Sequence, residues 1–171
     1  MIIRIETRIR APIERCFDAA RDLDLHLQSF ADTNEQAVGG RTSGLIEMGE
    51  EVTWRGRHFG VTQHMTSKIT AFDRPRYFQD SMQRGAFKSF VHDHYFEQTG
   101  DTTTMLDVVA FAAPLGPLGR LAELLFLRRY LTRLLTHRAK VLGSHLENQP
   151  IFDGTLTGSP SLDVKVPSKI G

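Results

Sequence analysis

The chain has 171 residues, a net charge of +1 and 24% charged residues, which is typical of one ordinary globular domain. The near-neutral charge argues against a nucleic-acid-binding protein, so no nucleic-acid partner is expected. The single cysteine, Cys16, excludes an internal disulfide and favours a reducing compartment. The first ten residues lack the apolar core of a signal peptide. We therefore expect a cytoplasmic protein.

The N-terminal segment predicts one strand followed by two short helices. Apolar and charged side chains alternate over residues 2–10, which is typical of a half-buried strand. A short helix is predicted over residues 13–21. Asp22 is a suitable N-cap for a second helix from residue 23 to about residue 31.

Six further strands are predicted after Thr33. Runs rich in Val, Thr and aromatic residues alternate with Gly, Asp and Pro turn signals. The predicted strands are 35–38, 45–55, 58–72, 77–83, 87–98 and 102–113, with a turn at 55–57 between the second and the third. Such short connections imply an antiparallel meander.

A long amphipathic helix is predicted over residues 118–146, which contain no proline and mostly good helix formers. Its apolar stripe covers well over half of the circumference. The stripe comprises Leu118, Leu121, Leu124, Leu125, Leu131, Leu135 and Leu142, widened by Leu127, Leu134 and Val141. A stripe this wide predicts burial against a large surface. The interspersed Arg128, Arg129 and Arg133 argue against a transmembrane segment.

Together these elements predict an α+β domain over residues 1–147, in which a curved seven-stranded antiparallel sheet wraps around the C-terminal helix. Residues 148–171 contain three prolines and many small polar residues. They are predicted to form a surface tail, with docking onto a partner or a second subunit as the alternative.

Several short motifs accompany this order of one strand, two helices, six strands and one long helix. The motifs are residues 10–17 (RAPIERCF), 52–54 (VTW), 58–60 (HFG), 69–75 (ITAFDRP), 90–97 (FVHDHYFE) and 114–119 (PLGPLG). Over residues 1–147 the chain resembles the helix-grip fold of the SRPBCC superfamily, in particular its small bacterial stand-alone members. That superfamily includes START lipid-transfer domains, the birch-pollen-allergen family and polyketide cyclase/dehydrase-like proteins. The resemblance implies a deep, largely apolar cavity between the sheet and the helix, but the functions of the superfamily are diverse.

Two histidines are the strongest candidates for chemistry. Residues two apart share a strand face, so His92 and His94 lie on the same face as Phe90 and Phe96. The flanking phenylalanines indicate that this face points inward.

Two aspartates lie on the neighbouring strands. Asp80 shares a face with Phe78 and Met82, and Asp107 shares a face with Phe111. Because neighbouring strands are about 5 Å apart, both aspartates are predicted to meet the histidines in the cavity.

This cluster allows three interpretations. It is either a satisfied polar group that orients a ligand, or a catalytic site in which Asp107 orients His92 or His94 as a general base. The His-x-His spacing also suits a metal site completed by Asp80, Asp107 or His64. The SRPBCC resemblance implies no metal here, so we assign no metal and no cofactor.

Inward-facing apolar and aromatic residues are predicted to complete the wall of the cavity. Besides the four polar side chains, the predicted ligand-binding residues are Trp54, Gln63, Phe78, Met82, Phe90, Phe96, Phe111, Leu131 and Leu135. Gln63 is the most informative of them, because a buried amide must find a partner and a ligand could supply it.

The sequence therefore predicts a carrier or sensor that binds a small hydrophobic or amphipathic molecule. A cyclase/dehydratase-like enzyme with a cavity histidine as general acid or base is the alternative. The third hypothesis is a protein-interaction module acting through the tail or the basic helix face. Phe126 beside that face leaves room for a homodimer contact or for association with a membrane surface. No nucleophile motif is present, and Cys16 is predicted to pack in the core.

Overall fold

The computed structural model describes residues 1–148 and 163–165. The strands are β1 Ile2–Ile9, β2 Gln36–Gly40, β3 Glu51–His58, β4 Val61–Asp73, β5 Tyr77–Arg84, β6 Ser89–Thr99, β7 Thr102–Ala112 and β8 Asp163–Lys165. The helices are α1 Ile13–Ala20, α2 Leu23–Ser29, a 3-10 turn Ala31–Thr33, α3 Gly116–Ala122, a π-helical segment Glu123–Leu127 and α4 Arg128–Asn148.

All the strands belong to one antiparallel sheet with the order β2-β3-β4-β5-β6-β7-β1-β8. The predicted α+β helix-grip fold is confirmed, with seven strands in the predicted order and the long helix last. Asp22 caps α2 as predicted, because its carboxylate accepts from the backbone N–H groups of Asp24 and Leu25. The short strand β8 was not predicted and pairs with β1. The rest of the predicted tail after Asn148 lies outside the described residues.

The predicted turn at residues 55–57 is wrong, because these residues continue β3. The chain instead turns at Phe59 and Gly60, which both have positive φ angles, 52° and 78°. Glycine adopts such angles without strain, which suits Gly60 to this turn. The predicted start of this strand at residue 45 is also too early. The preceding loop bonds to the helices through Ile46, whose N–H donates to the Arg21 carbonyl.

The predicted burial of the long helix is confirmed only in its second half. Leu131, Leu135, Leu142 and Leu146 are buried against the sheet and the short helices. The first half is exposed at Leu118, Leu121, Leu124, Leu125 and Phe126. The π-helical segment lies between the two halves and interrupts the regular repeat of about 3.6 residues per turn. The apolar side chains before and after it therefore do not form one continuous stripe on one side of the helix. No helix within the described ranges is long and apolar enough to cross a membrane.

Glu123 anchors the start of this long helix. Its side chain is buried, and Oε1 accepts a hydrogen bond of 2.6 Å from the backbone N–H of Ala113 at the end of β7. A buried backbone N–H without an acceptor is costly. Glu123 therefore fixes where the helix leaves the sheet, at one end of the space that the helix covers.

We expect Glu123→Met to lower the free energy of unfolding by about 1–3 kcal/mol, because it leaves the buried Ala113 N–H without an acceptor. Glu123→Gln keeps an acceptor oxygen of the same reach and serves as the matched control. Guanidinium denaturation of the three proteins measures the difference. Equal stability of the Met and Gln variants would show that the hydrogen bond has no anchoring role.

Candidate functional site

A cavity of about 310 Å³ lies between the concave face of the sheet and the C-terminal helix. This volume is near the lower end of the roughly 300–1,000 Å³ typical of small-molecule sites. Its wall contains most of the predicted ligand-binding residues. Those that line it are Trp54, Gln63, Phe78, Asp80, Phe90, His92, His94, Leu131 and Leu135.

Four of the predicted residues do not line this cavity. Phe96 packs on Phe17 with ring centroids 5.4 Å apart, and Phe111 packs on Phe87 at 5.8 Å. Met82 is half-buried. Asp107 is buried beside the histidines, on the neighbouring strand β7. Because Asp107 contacts the histidines and not the cavity, it positions them.

The sheet register assembles the predicted histidine cluster. Asp80 on β5 is opposite His92 on β6, and His94 is opposite Asp107 on β7. His92 donates from Nε2 to Asp107 Oδ1 at 2.9 Å, and His94 donates from Nε2 to Asp80 Oδ2 at 3.2 Å. His94 Nδ1 also lies 2.8 Å from Asp107 Oδ1, although this pair lacks the alignment of a hydrogen bond. The predicted convergence of these four side chains is therefore present.

Arg138 completes the charges of the cluster. This buried arginine donates to the Ala20 carbonyl at 2.7 Å, and its Nη1 lies 3.8 Å from Asp107 Oδ1. The cluster thus contains two carboxylates, one fixed positive charge and two imidazoles. The protonation of the imidazoles depends on their burial and on the neighbouring charges.

Burial and neighbouring charges move the two histidines in opposite directions. Burial lowers the pKa of His92, and the neighbouring His94 adds to that shift. Burial also opposes a charge on His94, but the contacts with Asp107 and Asp80 outweigh it and raise its pKa. Burial would raise the pKa of Asp107, yet the two imidazoles hold it well below its usual range. The arrangement therefore favours ionised aspartates and one imidazole that accepts positive charge.

A second polar cluster lines the cavity and was not predicted. His26 donates from Nε2 to Glu35 Oε1 at 2.8 Å, and its ring stacks on Trp54 with centroids 4.2 Å apart. His58 Nδ1 lies 2.7 Å from the Tyr130 hydroxyl. These side chains come from distant parts of the sequence, so no single strand pattern unites them. The sequence could have indicated that His26 faces inward, because it lies three residues after Leu23 and therefore on the buried side of α2.

Ser67 is an unusual feature of the cavity wall. Its side chain is buried, lines the cavity, and has a hydroxyl without a hydrogen-bond partner. Buried hydroxyls nearly always have a partner, and a polar atom of a bound molecule would supply one.

Cys16 lies outside the cavity. Its side chain is fully buried, and burial raises the pKa of its thiol to about 11. Because the thiolate is the reactive form, the position suits packing.

We expect Cys16 in the folded protein to resist a disulfide reagent such as DTNB at pH 8, because the thiol is both protonated and inaccessible. Unfolding in guanidinium should expose the thiol, and one equivalent of thiol per chain should then react rapidly with the reagent. Rapid labelling of the folded protein would contradict this assignment.

Solved structures share this fold. The chain is similar to a protein from Thermus thermophilus, with a TM-score of 0.69, 17% identity, and coverage of 85% of this chain and 97% of the other. A START superfamily protein from Mycobacterium smegmatis has a TM-score of 0.65, 13% identity and the same coverage. For the ginseng major latex-like protein 151 from Panax ginseng these values are 0.60 and 14%, again with 85% and 97% coverage. No protein-family model matches the sequence, and no curated protein matches it significantly. The predicted resemblance to SRPBCC proteins is thus confirmed as a likeness of fold.

Proposed function

We propose that the protein binds a small amphipathic molecule in the cavity between the sheet and the C-terminal helix. The observation that carries this proposal is the combination of a concave, partly open space with a mainly apolar wall and a few convergent polar groups. In such a site the apolar part of a ligand is buried by hydrophobic contacts, which are not directional. The polar groups fix the orientation of the ligand by hydrogen bonds. The fold of the START and major latex-like neighbours is compatible with this function.

The polar groups indicate where a ligand would be held. His92 and His94 face the cavity in orientations set by Asp107 and Asp80. Ser67 and Gln63 supply a hydroxyl and an amide on β4. A ligand with one hydroxyl, carbonyl or carboxylate group fits these partners better than a pure hydrocarbon does. A cytoplasmic location stays a prediction from the sequence.

Ser67 gives a direct test of the cavity, since its hydroxyl makes no hydrogen bond that a substitution would lose. We expect Ser67→Phe to fill part of the space and to reduce binding of the fluorescent amphipathic probe 1-anilinonaphthalene-8-sulfonate at least about tenfold, since a side chain occupies the volume that the probe needs. Fluorescence titration measures the affinity.

The matched control for this experiment is Thr62→Phe, an exposed position on the same strand. It should bind the probe as the unmodified protein does. Equal loss in both variants, or no loss in Ser67→Phe, would place the probe outside the cavity and contradict the proposal. Native mass spectrometry of freshly purified protein then identifies any molecule that the cavity retains.

The cyclase/dehydratase-like enzyme is the second candidate, and one observation favours it. His92 and His94 each have a carboxylate partner, which is the arrangement of an oriented general base.

His94→Gln separates the two functions. A carrier should lose only the net value of one hydrogen bond, about 0.5–1.5 kcal/mol of binding free energy. An enzyme that uses His94 for proton transfer should lose about 10²–10⁴-fold in turnover with little change in affinity. Binding titrations and turnover of any molecule identified by native mass spectrometry provide the two measurements. The exposed His137→Gln is the control and should change neither.

A further inference from the structure

Three side chains of the histidine cluster converge like the ligands of a metal ion. One donor atom each from Asp80, His92 and His94 lies within 4.8 Å of the others. Asp80 Oδ2 is 3.2 Å from His94 Nε2 and 3.8 Å from His92 Nδ1. Two donors at about 2.1 Å from a tetrahedral ion are about 3.4 Å apart. The two distances bracket this value, and small side-chain rotations would bring the histidine nitrogens to it.

Asp107 supplies the outer support that such a site requires. Histidines that bind metal ions usually donate their other ring nitrogen to a carboxylate or carbonyl, which fixes the tautomer and the ring. His92 directs Nδ1 toward Asp80 while its Nε2 donates to Asp107. His94 directs Nε2 toward Asp80 while its Nδ1 lies 2.8 Å from the same Asp107 oxygen. The buried Asp107 carboxylate thus contacts both imidazoles through the ring nitrogens that point away from Asp80.

The charge of the cluster also suits a cation. With neutral histidines, Arg138 is the one fixed positive charge that the described part of the chain places beside the carboxylates of Asp80 and Asp107. An uncompensated charge in such a buried place is expensive. Either a proton on an imidazole or a bound cation would neutralise it, and these two states can be distinguished by experiment.

We propose that Asp80, His92 and His94 bind one divalent transition-metal ion such as Zn²⁺. Two imidazoles and one carboxylate form a donor set suited to such ions, whereas Mg²⁺ and Ca²⁺ prefer oxygen donors alone. All three ligands line the cavity, so the remaining coordination position faces the space in which a ligand would lie. No metal was assigned from the sequence, because the SRPBCC resemblance implies none here. The site shares His92 and His94 with the proposed ligand site, but absence of Zn²⁺ binding would leave probe binding in the cavity, and with it the cavity proposal, unchanged.

The test uses the full-length protein after treatment with a chelator. Zn²⁺ affinity and stoichiometry are measured at pH 7.5 by competition with a chromophoric chelator, and Co²⁺ absorption reports the coordination geometry. We expect one Zn²⁺ per chain, no comparable binding of Mg²⁺ or Ca²⁺, and a rise in Tm on adding Zn²⁺. Asp107→Asn should weaken binding by roughly 10- to 100-fold without changing the stoichiometry, because Asp107 is a positioning residue.

The ligand variants provide the decisive comparison. His92→Gln, His94→Gln and Asp80→Asn should each weaken Zn²⁺ binding more than Asp107→Asn does. The exposed His137→Gln should leave it unchanged. Asp80 is the least buried of the three ligands, so Asp80→Asn keeps the test valid if a histidine variant fails to fold. Absence of saturable Zn²⁺ binding, or equal affinity in the protein and its Asp80→Asn variant, would overturn the proposal. The cluster would then be neutralised by a proton.

Discussion

The burial of the Asp107 carboxylate constrains the rest of the site. A carboxylate at this depth needs partners for its charge, and it has two imidazoles and the guanidinium of Arg138 nearby. These partners come from β6 and from α4, so the same interaction fixes the strand register and draws the helix toward the sheet. A shift of the register by one residue would turn the side chains of a strand to the opposite face. The position of the histidines therefore follows from satisfying one buried charge.

The two halves of the long helix differ in their burial. From Leu131 onward it covers the sheet and completes the core with α1 and α2. Before that point most of its large apolar side chains are exposed. Phe126 contacts the exposed Phe59 of the β3–β4 turn at a ring-centroid distance of 5.7 Å. Both phenylalanines line the cavity. The exposed apolar surface is thus continuous with the cavity wall.

The strand faces of the site could be predicted because their period of two is independent of distant structure. That rule showed which residues share a face with His92, His94 and Asp107, and the apolar residues on those faces indicated that they are buried. The pairing of their strands followed from short turns. The helix was harder to predict, since a hydrophobic stripe shows which face is apolar but not how much of it another element covers. The shift at Glu123–Leu127 has no sequence signal of comparable strength. The cluster of His26, Glu35, His58 and Tyr130 depends on how α2, the start of β2, β3 and α4 pack together.

Stability alone does not explain this group of polar side chains. Apolar side chains of similar volume in place of a buried ion pair are often neutral or stabilising, and the neighbouring wall of Phe78, Phe90 and Leu135 shows that apolar packing is available at this depth. Asp107 is already partnered inside the protein, whereas Ser67 has a hydroxyl without a partner at the cavity. The Ser67 hydroxyl therefore has bonding capacity left at the wall of the cavity. A molecule that enters the cavity would meet that capacity, which supports the proposal that a ligand binds there.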